Sequence, residues 1–156
     1  MAILVSTIAV TVALALSWIL QLLGTFTGTC TQAANGPALT GAVFSAAPLA
    51  VAVIGSAIFF RKTRRSEVEQ PVFLGLMPLL VAIAMLVSTR STWFDVLRFG
   101  TPCGADYEAD GGSLIEQGNA LILVSYFLVP ALICALLLAA LVKSKLEPAS
   151  ERKPIS

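Results

Sequence analysis

Cys30 and Cys103 are the residues whose chemistry can be predicted most specifically, because both lie in loops that the charge pattern places on the same side of a membrane. If that compartment is oxidising, the two thiols are expected to form a disulfide that joins the loops. The alternative is a thiol–disulfide relay, but relay thiols usually occur as Cys-x-x-Cys, which this sequence lacks. The third cysteine, Cys134, falls in an apolar run and is expected to pack as a small apolar side chain.

Three alternating acids, Asp106, Glu108 and Asp110, are followed by two glycines and resemble the first half of an EF-hand calcium loop. The resemblance fails at the twelfth position, where Gln117 replaces the glutamate that would bind calcium through two oxygens. The eighth position, Ser113, is polar where the motif has an apolar residue. We therefore interpret the segment as a solvated acidic loop, with an outward calcium site formed by the three acids as the alternative.

Other chemistry is excluded by residue types that the sequence lacks. It contains no histidine, so histidine-ligated haem, histidine-bound zinc and histidine proton relays are excluded. No acidic or basic residue falls within the long apolar runs, which removes the groups that proton-coupled transporters and voltage sensors use inside a membrane. We expect no enzyme activity, no catalytic residue, no bound cofactor and no nucleic-acid partner.

Charged residues are confined to three blocks, residues 61–69, 90–116 and 143–153, and this distribution predicts a membrane protein. They make up 12% of the chain, whereas soluble domains carry roughly a quarter. An apolar helix of about 20 residues crosses the hydrocarbon core. The uncharged run before residue 61 therefore holds two crossings, and each later run holds one. The predicted spans cover residues 2–23, 39–60, 71–89 and 119–142.

The signs of the charges predict how the spans are oriented. The segments that follow the second and fourth spans are basic, with Arg61, Lys62, Arg64, Arg65, Lys143, Lys145, Arg152 and Lys153. The segment between the third and fourth spans is acidic, with Asp95, Asp106, Glu108, Asp110 and Glu116 against Arg90 and Arg98. The positive-inside rule predicts an all-α, up-down-up-down four-helix bundle with both termini in the cytoplasm.

One membrane domain, residues 1–142, is therefore expected, followed by a short disordered cytoplasmic tail over residues 143–156. The first apolar run lacks a basic N-terminal region, so we expect a retained span instead of a cleaved signal peptide. A composition rich in alanine and glycine favours a bacterial inner membrane.

The outer loop, residues 90–118, begins with a predicted interfacial helix over residues 91–99. Thr92 and Asp95 are spaced as a capping box at its start. The next aromatic residues, Trp93 and Phe94, are typical of the level where rings meet lipid headgroups. We interpret the helix as a membrane anchor, with a docking surface for a partner as the alternative.

Each predicted span carries a stripe of small or weakly polar residues at helical spacing, which places them on one face. Helix association in lipid depends on close packing, so these faces are expected to meet in the centre of the bundle. Prolines near the middle of three spans are expected to kink the helices. The positions selected for helix packing or for a pathway are Thr7, Thr11, Gln21, Gly41, Ser45, Pro48, Pro78 and Pro130. Packing is the preferred interpretation, and a narrow aqueous or substrate pathway is the alternative.

These features predict a non-catalytic integral membrane protein that serves as an accessory, assembly or structural subunit of a larger membrane complex. Its expected partners are the lipid bilayer and other membrane subunits or further copies of itself. The alternative is a small oligomeric channel or transporter lined by the kinked helices. A bundle without buried ionisable groups favours the subunit, and the three prolines favour the channel.

Overall fold

The computed structural model describes residues 2–26, 36–64, 71–99 and 119–146. These residues form five helices and no strand, and Thr89 alone among them lies in a turn. The helices are α1 (Ala2–Phe26), α2 (Gly36–Arg64), α3 (Pro71–Ser88), α4 (Arg90–Phe99) and α5 (residues 119–146). Helix α5 contains a π-helical segment, Val124–Leu128, which is followed by the α-helical remainder, Val129–Leu146.

Three of these helices are long and apolar enough to cross a membrane by themselves. Their apolar segments are Leu4–Gly24, Ala38–Thr63 and Asn119–Lys143, with mean hydropathies of 1.9, 2.2 and 2.7. A fourth span results if α3 and α4 are counted together, since Phe73–Ser88 and Arg90–Phe99 are joined by a bend of 51°. The predicted all-helical class and membrane-spanning character are thus confirmed for the described residues, with three to four spanning helices.

The helices extend past the boundaries that hydropathy predicts. Helix α2 continues to Arg64, so Arg61 and Lys62 belong to its last turns. Helix α5 continues to Leu146, so the first residues of the predicted tail are helical. A charge pattern marks where lipid ends, but the backbone can keep its helical hydrogen bonds beyond that level.

The bend between α3 and α4 has a local cause at Met85, whose carbonyl oxygen accepts three hydrogen bonds. The donors are the Thr89 amide at 3.1 Å, the Thr89 hydroxyl at 2.7 Å and the Ser88 hydroxyl at 3.1 Å. Hydroxyl groups that bond to the carbonyl of the preceding turn often bend helices. The second helix begins at Arg90, so Thr92 lies buried inside α4 and does not cap it as the sequence predicts.

The core lies between α1, α2, α3 and α5, and the outward faces of these helices are also apolar. Leu14, Ala52, Ala82 and Ile133 are fully buried in the main hydrophobic cluster. The opposite faces expose large apolar side chains, such as Phe73 at 74%. A helix that is apolar on all sides is typical of a membrane span, where lipid covers the outer face.

Candidate functional site

Gln21 is the most polar side chain that the bundle buries completely. Its Nε2 atom donates to the backbone oxygen of Ser125 on α5 at 3.0 Å and to the hydroxyl of Ser45 on α2 at 3.3 Å. One α1 side chain thus joins three helices. We call the group formed by Gln21, Ser45, Ser125 and Tyr126 the polar junction.

Tyr126 connects the same three helices from the side of α5. Its hydroxyl lies 3.1 Å from the backbone oxygen of Gln21 and 3.3 Å from that of Ala38. A phenol has one proton to donate, so the two carbonyl oxygens share it or receive it in turn. Because the ring is fully buried, this hydrogen bond also satisfies the polar end of the largest side chain in the core.

The π-helical segment explains why the Ser125 carbonyl is available to Gln21. In a regular α-helix the Val129 amide would donate to the Ser125 oxygen, but here it donates to the Val124 oxygen. The next residue, Pro130, has no amide hydrogen and cannot donate in its place. Pro130 and the π-helical segment therefore leave one carbonyl without a helical donor, and the Gln21 amide supplies the missing hydrogen bond.

Gly41 allows α1, α2 and α5 to approach closely enough for these bonds. A Cβ atom at this position would lie 2.6 Å from the Tyr126 hydroxyl oxygen, 3.0 Å from the Leu20 carbonyl oxygen and 3.3 Å from Cα of Gly24. Two of these three neighbours belong to the α1 backbone, which cannot turn away as a side chain can. The absence of a side chain is therefore a requirement of the packing.

Ser45 completes the polar junction on the side of α2. Its hydroxyl donates to the Ala42 carbonyl at 3.0 Å while it accepts from Gln21, and its carbonyl lies 3.5 Å from the hydroxyl of Ser17. The Gln21 Oε1 atom is buried and has no partner among the described residues. The polar groups at this level serve mainly to connect helices.

The structure divides the predicted packing or pathway positions between several levels. Gln21 and Ser45 belong to the polar junction, and Gly41 packs against its Tyr126 hydroxyl. Pro130 lies on α5, five residues after Ser125. Thr7 and Pro78 are buried at a second level, where they line a small cavity. Thr11 is partly buried and donates to the Thr7 carbonyl at 2.9 Å, and Pro48 is partly buried.

The cavity at the second level has a volume of about 10 Å³ and is lined by residues of α1, α2, α3 and α5. About this volume is needed to hold a single water molecule. A solute or a hydrated ion would not fit. The small size of this cavity favours the packing interpretation over a pathway at this level.

The aromatic pair at the start of α4 is split between two environments. The Trp93 ring lies 4.7 Å from the Phe127 ring centroid, and its Nε1 atom donates to the Leu86 carbonyl at 3.1 Å. Phe94 is 48% exposed. Trp93 is partly buried and fastens α4 to α3 and α5, whereas Phe94 lies on the surface.

A second tryptophan bond joins α1 to α3. The Trp18 Nε1 atom donates to the Ser88 hydroxyl at 2.7 Å. Ser17, Ser88 and Ser125 were not among the selected positions. Pro130 is only a partial signal for Ser125, because a proline in a regular α-helix frees the carbonyl four residues earlier, that of Tyr126. The π-helical segment is what leaves the Ser125 carbonyl without a helical donor.

The predicted disulfide cysteines, Cys30 and Cys103, lie outside the described residues, as do Asp106, Glu108 and Asp110 of the proposed calcium loop. Cys134 is a buried free thiol. Within the four described segments, no three His, Cys, Asp or Glu residues are placed to hold a metal ion.

Comparisons with protein-family models, with curated proteins and with solved structures find no match to this chain.

Proposed function

We propose that the protein is a non-catalytic integral membrane protein that serves as an accessory, assembly or structural subunit of a larger membrane complex. The polar junction is the main support for this proposal. There the strongest hydrogen-bonding groups of the span interiors bond to other helices of the same chain. Such bonds fix how the helices pack, and they leave few polar groups to bind a substrate.

The proposed topology has four crossings in up-down-up-down order, with both termini in the cytoplasm of a bacterium. Its support is the set of helix ends that meet near Gly75, at the start of α3. A Cβ atom there would lie 3.0 Å from Leu141, near the end of α5, and 3.2 Å from Phe59, near the end of α2. The basic residues that follow Phe59 and Leu141 then share one side of the membrane, as the positive-inside rule requires.

In this topology α4 lies on the outer side, together with Cys30, Cys103 and the acidic loop. A disulfide between the two cysteines would join the loop after α1 to the loop after α4. On the same side, α4 exposes the Phe94 and Leu97 side chains. We propose this face of α4 as the region that a partner subunit would contact.

A small oligomeric channel or transporter is the second proposal, and one observation favours it. Ser6, Thr7 and Ser56 line the cavity beside Pro78, so weakly polar groups meet a proline at one level of the bundle. Since the cavity holds about one water, conduction would require a wider path between several copies of the chain.

Gln21→Leu separates the two proposals. The substitution removes two hydrogen bonds between helices and leaves the Ser125 carbonyl unpaired. We expect the free energy of unfolding in bicelles to fall by about 1–2 kcal/mol, since single interhelical bonds in membranes contribute about 0.6 and at most about 1.7 kcal/mol. Solute flux through proteoliposomes should not change.

Gln21→Met is the matched control, because methionine keeps the unbranched shape of the side chain and removes only its polar end. It should destabilise the protein about as much as Gln21→Leu if the hydrogen bonds matter more than the shape. A variant that altered flux while its stability stayed unchanged would favour the channel and contradict the subunit proposal.

A further inference from the structure

We propose that the cavity between Ser56 and Pro78 binds one structural water molecule, which bridges the Ser56 hydroxyl on α2 and the weakly polar residues Ser6 and Thr7 on α1. The cavity lies below the polar junction, where all four long helices contribute to its wall. The proposal is independent of the protein's function.

Ser56 provides the first polar group. Its side chain is fully buried on α2, lines the cavity, and its Oγ atom has no hydrogen-bond partner among the described residues. A buried hydroxyl without a partner is unfavourable, and in lipid there is no bulk water to compensate. Thr63, which is also buried on α2, shows the usual solution, since its hydroxyl donates to the Phe59 carbonyl at 2.9 Å.

Ser6 and Thr7 provide the second set of polar groups. Both lie on α1 and line the same cavity as Ser56. Pro78 is fully buried and lines the cavity on the side of α3. A hydroxyl can both donate and accept a hydrogen bond, so one water can bond to groups on α1 and α2 at the same time.

The polar junction shows by contrast why a water is needed here. At the junction, the Ser125 carbonyl accepts a hydrogen bond from the Gln21 amide, which reaches across from α1. At the level of Pro78, α1 presents Ser6, Thr7 and Val10 to the cavity, and their side chains are shorter than glutamine. A water molecule can cover the remaining distance and bond to both sides.

The size and lining of the cavity determine the occupant. A volume of about 10 Å³ admits one water and nothing larger. No charged side chain lines it, so an ion would lack compensation. Val10, Phe59 and Leu137 form its apolar walls.

The test is water-edited solid-state NMR of the full chain in lipid bilayers, which measures magnetisation transfer from water to assigned side chains. We expect rapid transfer to Ser56 and Pro78. Leu14 and Ile133 are the buried controls, since both are fully buried in the main hydrophobic cluster. Their transfer should be several-fold slower.

The Ser56→Val variant provides the second part of the test, because a valine methyl group replaces the hydroxyl and fills the cavity. Transfer to Pro78 should then be lost while the control signals stay unchanged. Slow transfer to Ser56 and Pro78 in the wild-type protein would overturn the proposal and indicate that the hydroxyl turns onto the Ala52 carbonyl. Equally rapid transfer to all four residues would also overturn it, since a continuous hydrated path would replace a single site. The wild-type comparison decides the question even if the variant fails to fold.

Discussion

Gly41→Ala is expected to lower the free energy of unfolding by about 2–3 kcal/mol, the largest effect of any single methyl group added to the bundle. The new Cβ would lie 2.6 Å from the Tyr126 hydroxyl oxygen and 3.0 Å from the Leu20 carbonyl oxygen. To admit it, α1 and α2 must separate, which stretches the hydrogen bonds of the polar junction. Steric trapping in bicelles measures the change directly.

Two further variants show whether the close approach at Gly41 is the cause. Gly75→Ala places a methyl 3.0 Å from Cδ2 of Leu141 and 3.2 Å from the Phe59 ring. Both neighbours are side chains that can shift, unlike the α1 backbone at Gly41, so the effect should be smaller, at most about 1 kcal/mol. Tyr126→Phe removes the nearest atom but not the α1 backbone, so it should rescue Gly41→Ala only in part. A neutral Gly41→Ala variant would show that the helices do not meet as described.

Gly55→Ala is expected to destabilise the protein by about 1–3 kcal/mol, because the added methyl group clashes with Val10. The new methyl would overlap Cγ2 of Val10 on α1. Apart from the neighbouring backbone of α2, Val10 is the only described residue with atoms within 4 Å of it. Valine is branched at Cβ and has few alternative rotamers, so the buried side chain cannot turn away.

Val10→Ala should therefore compensate for Gly55→Ala. When Gly55→Ala is introduced into the Val10→Ala background, it should cost nothing further, and the coupling between the two sites should equal most of the Gly55→Ala effect. A double-mutant cycle in the same bicelles measures this coupling. Additive effects would contradict the contact between the first half of α1 and the second half of α2.

Two buried polar groups of the bundle are satisfied in different ways. Near Pro130 the chain adds a π-helical segment, and the Ser125 carbonyl accepts a hydrogen bond from Gln21. Beside Pro78 no long polar side chain lines the cavity, and we infer that a water bonds to the Ser56 hydroxyl instead. Both groups lie inside the membrane, where bulk water cannot satisfy them.

Much of this architecture could be predicted from sequence because it depends on local composition. The sixty residues before Arg61 contain no charged side chain. A segment of this length and composition indicates helices that are surrounded by lipid. The spacing of small residues likewise indicates one buried face for each helix. Gly41, Ser45 and Pro78 lie on those faces and are buried.

The contacts between helices could not be predicted in the same way, because they depend on the rotation and vertical offset of each helix. Nothing near Gln21 in sequence indicates that its amide reaches Ser125, a residue more than a hundred positions away. The bend at Thr89 depends on three hydrogen bonds converging on one carbonyl. Trp93 is predicted to lie at the level of the lipid headgroups, but no sequence feature shows that its ring also packs against Phe127.

Native mass spectrometry after gentle detergent extraction, with the protein at its natural expression level, tests the proposed function most directly. We predict a complex in which this chain and other polypeptides occur in fixed proportions. In the same measurement, reductant should raise the mass of the chain by two hydrogen atoms if Cys30 and Cys103 are joined. A chain that appears only as a monomer or as a homo-oligomer would contradict the subunit proposal.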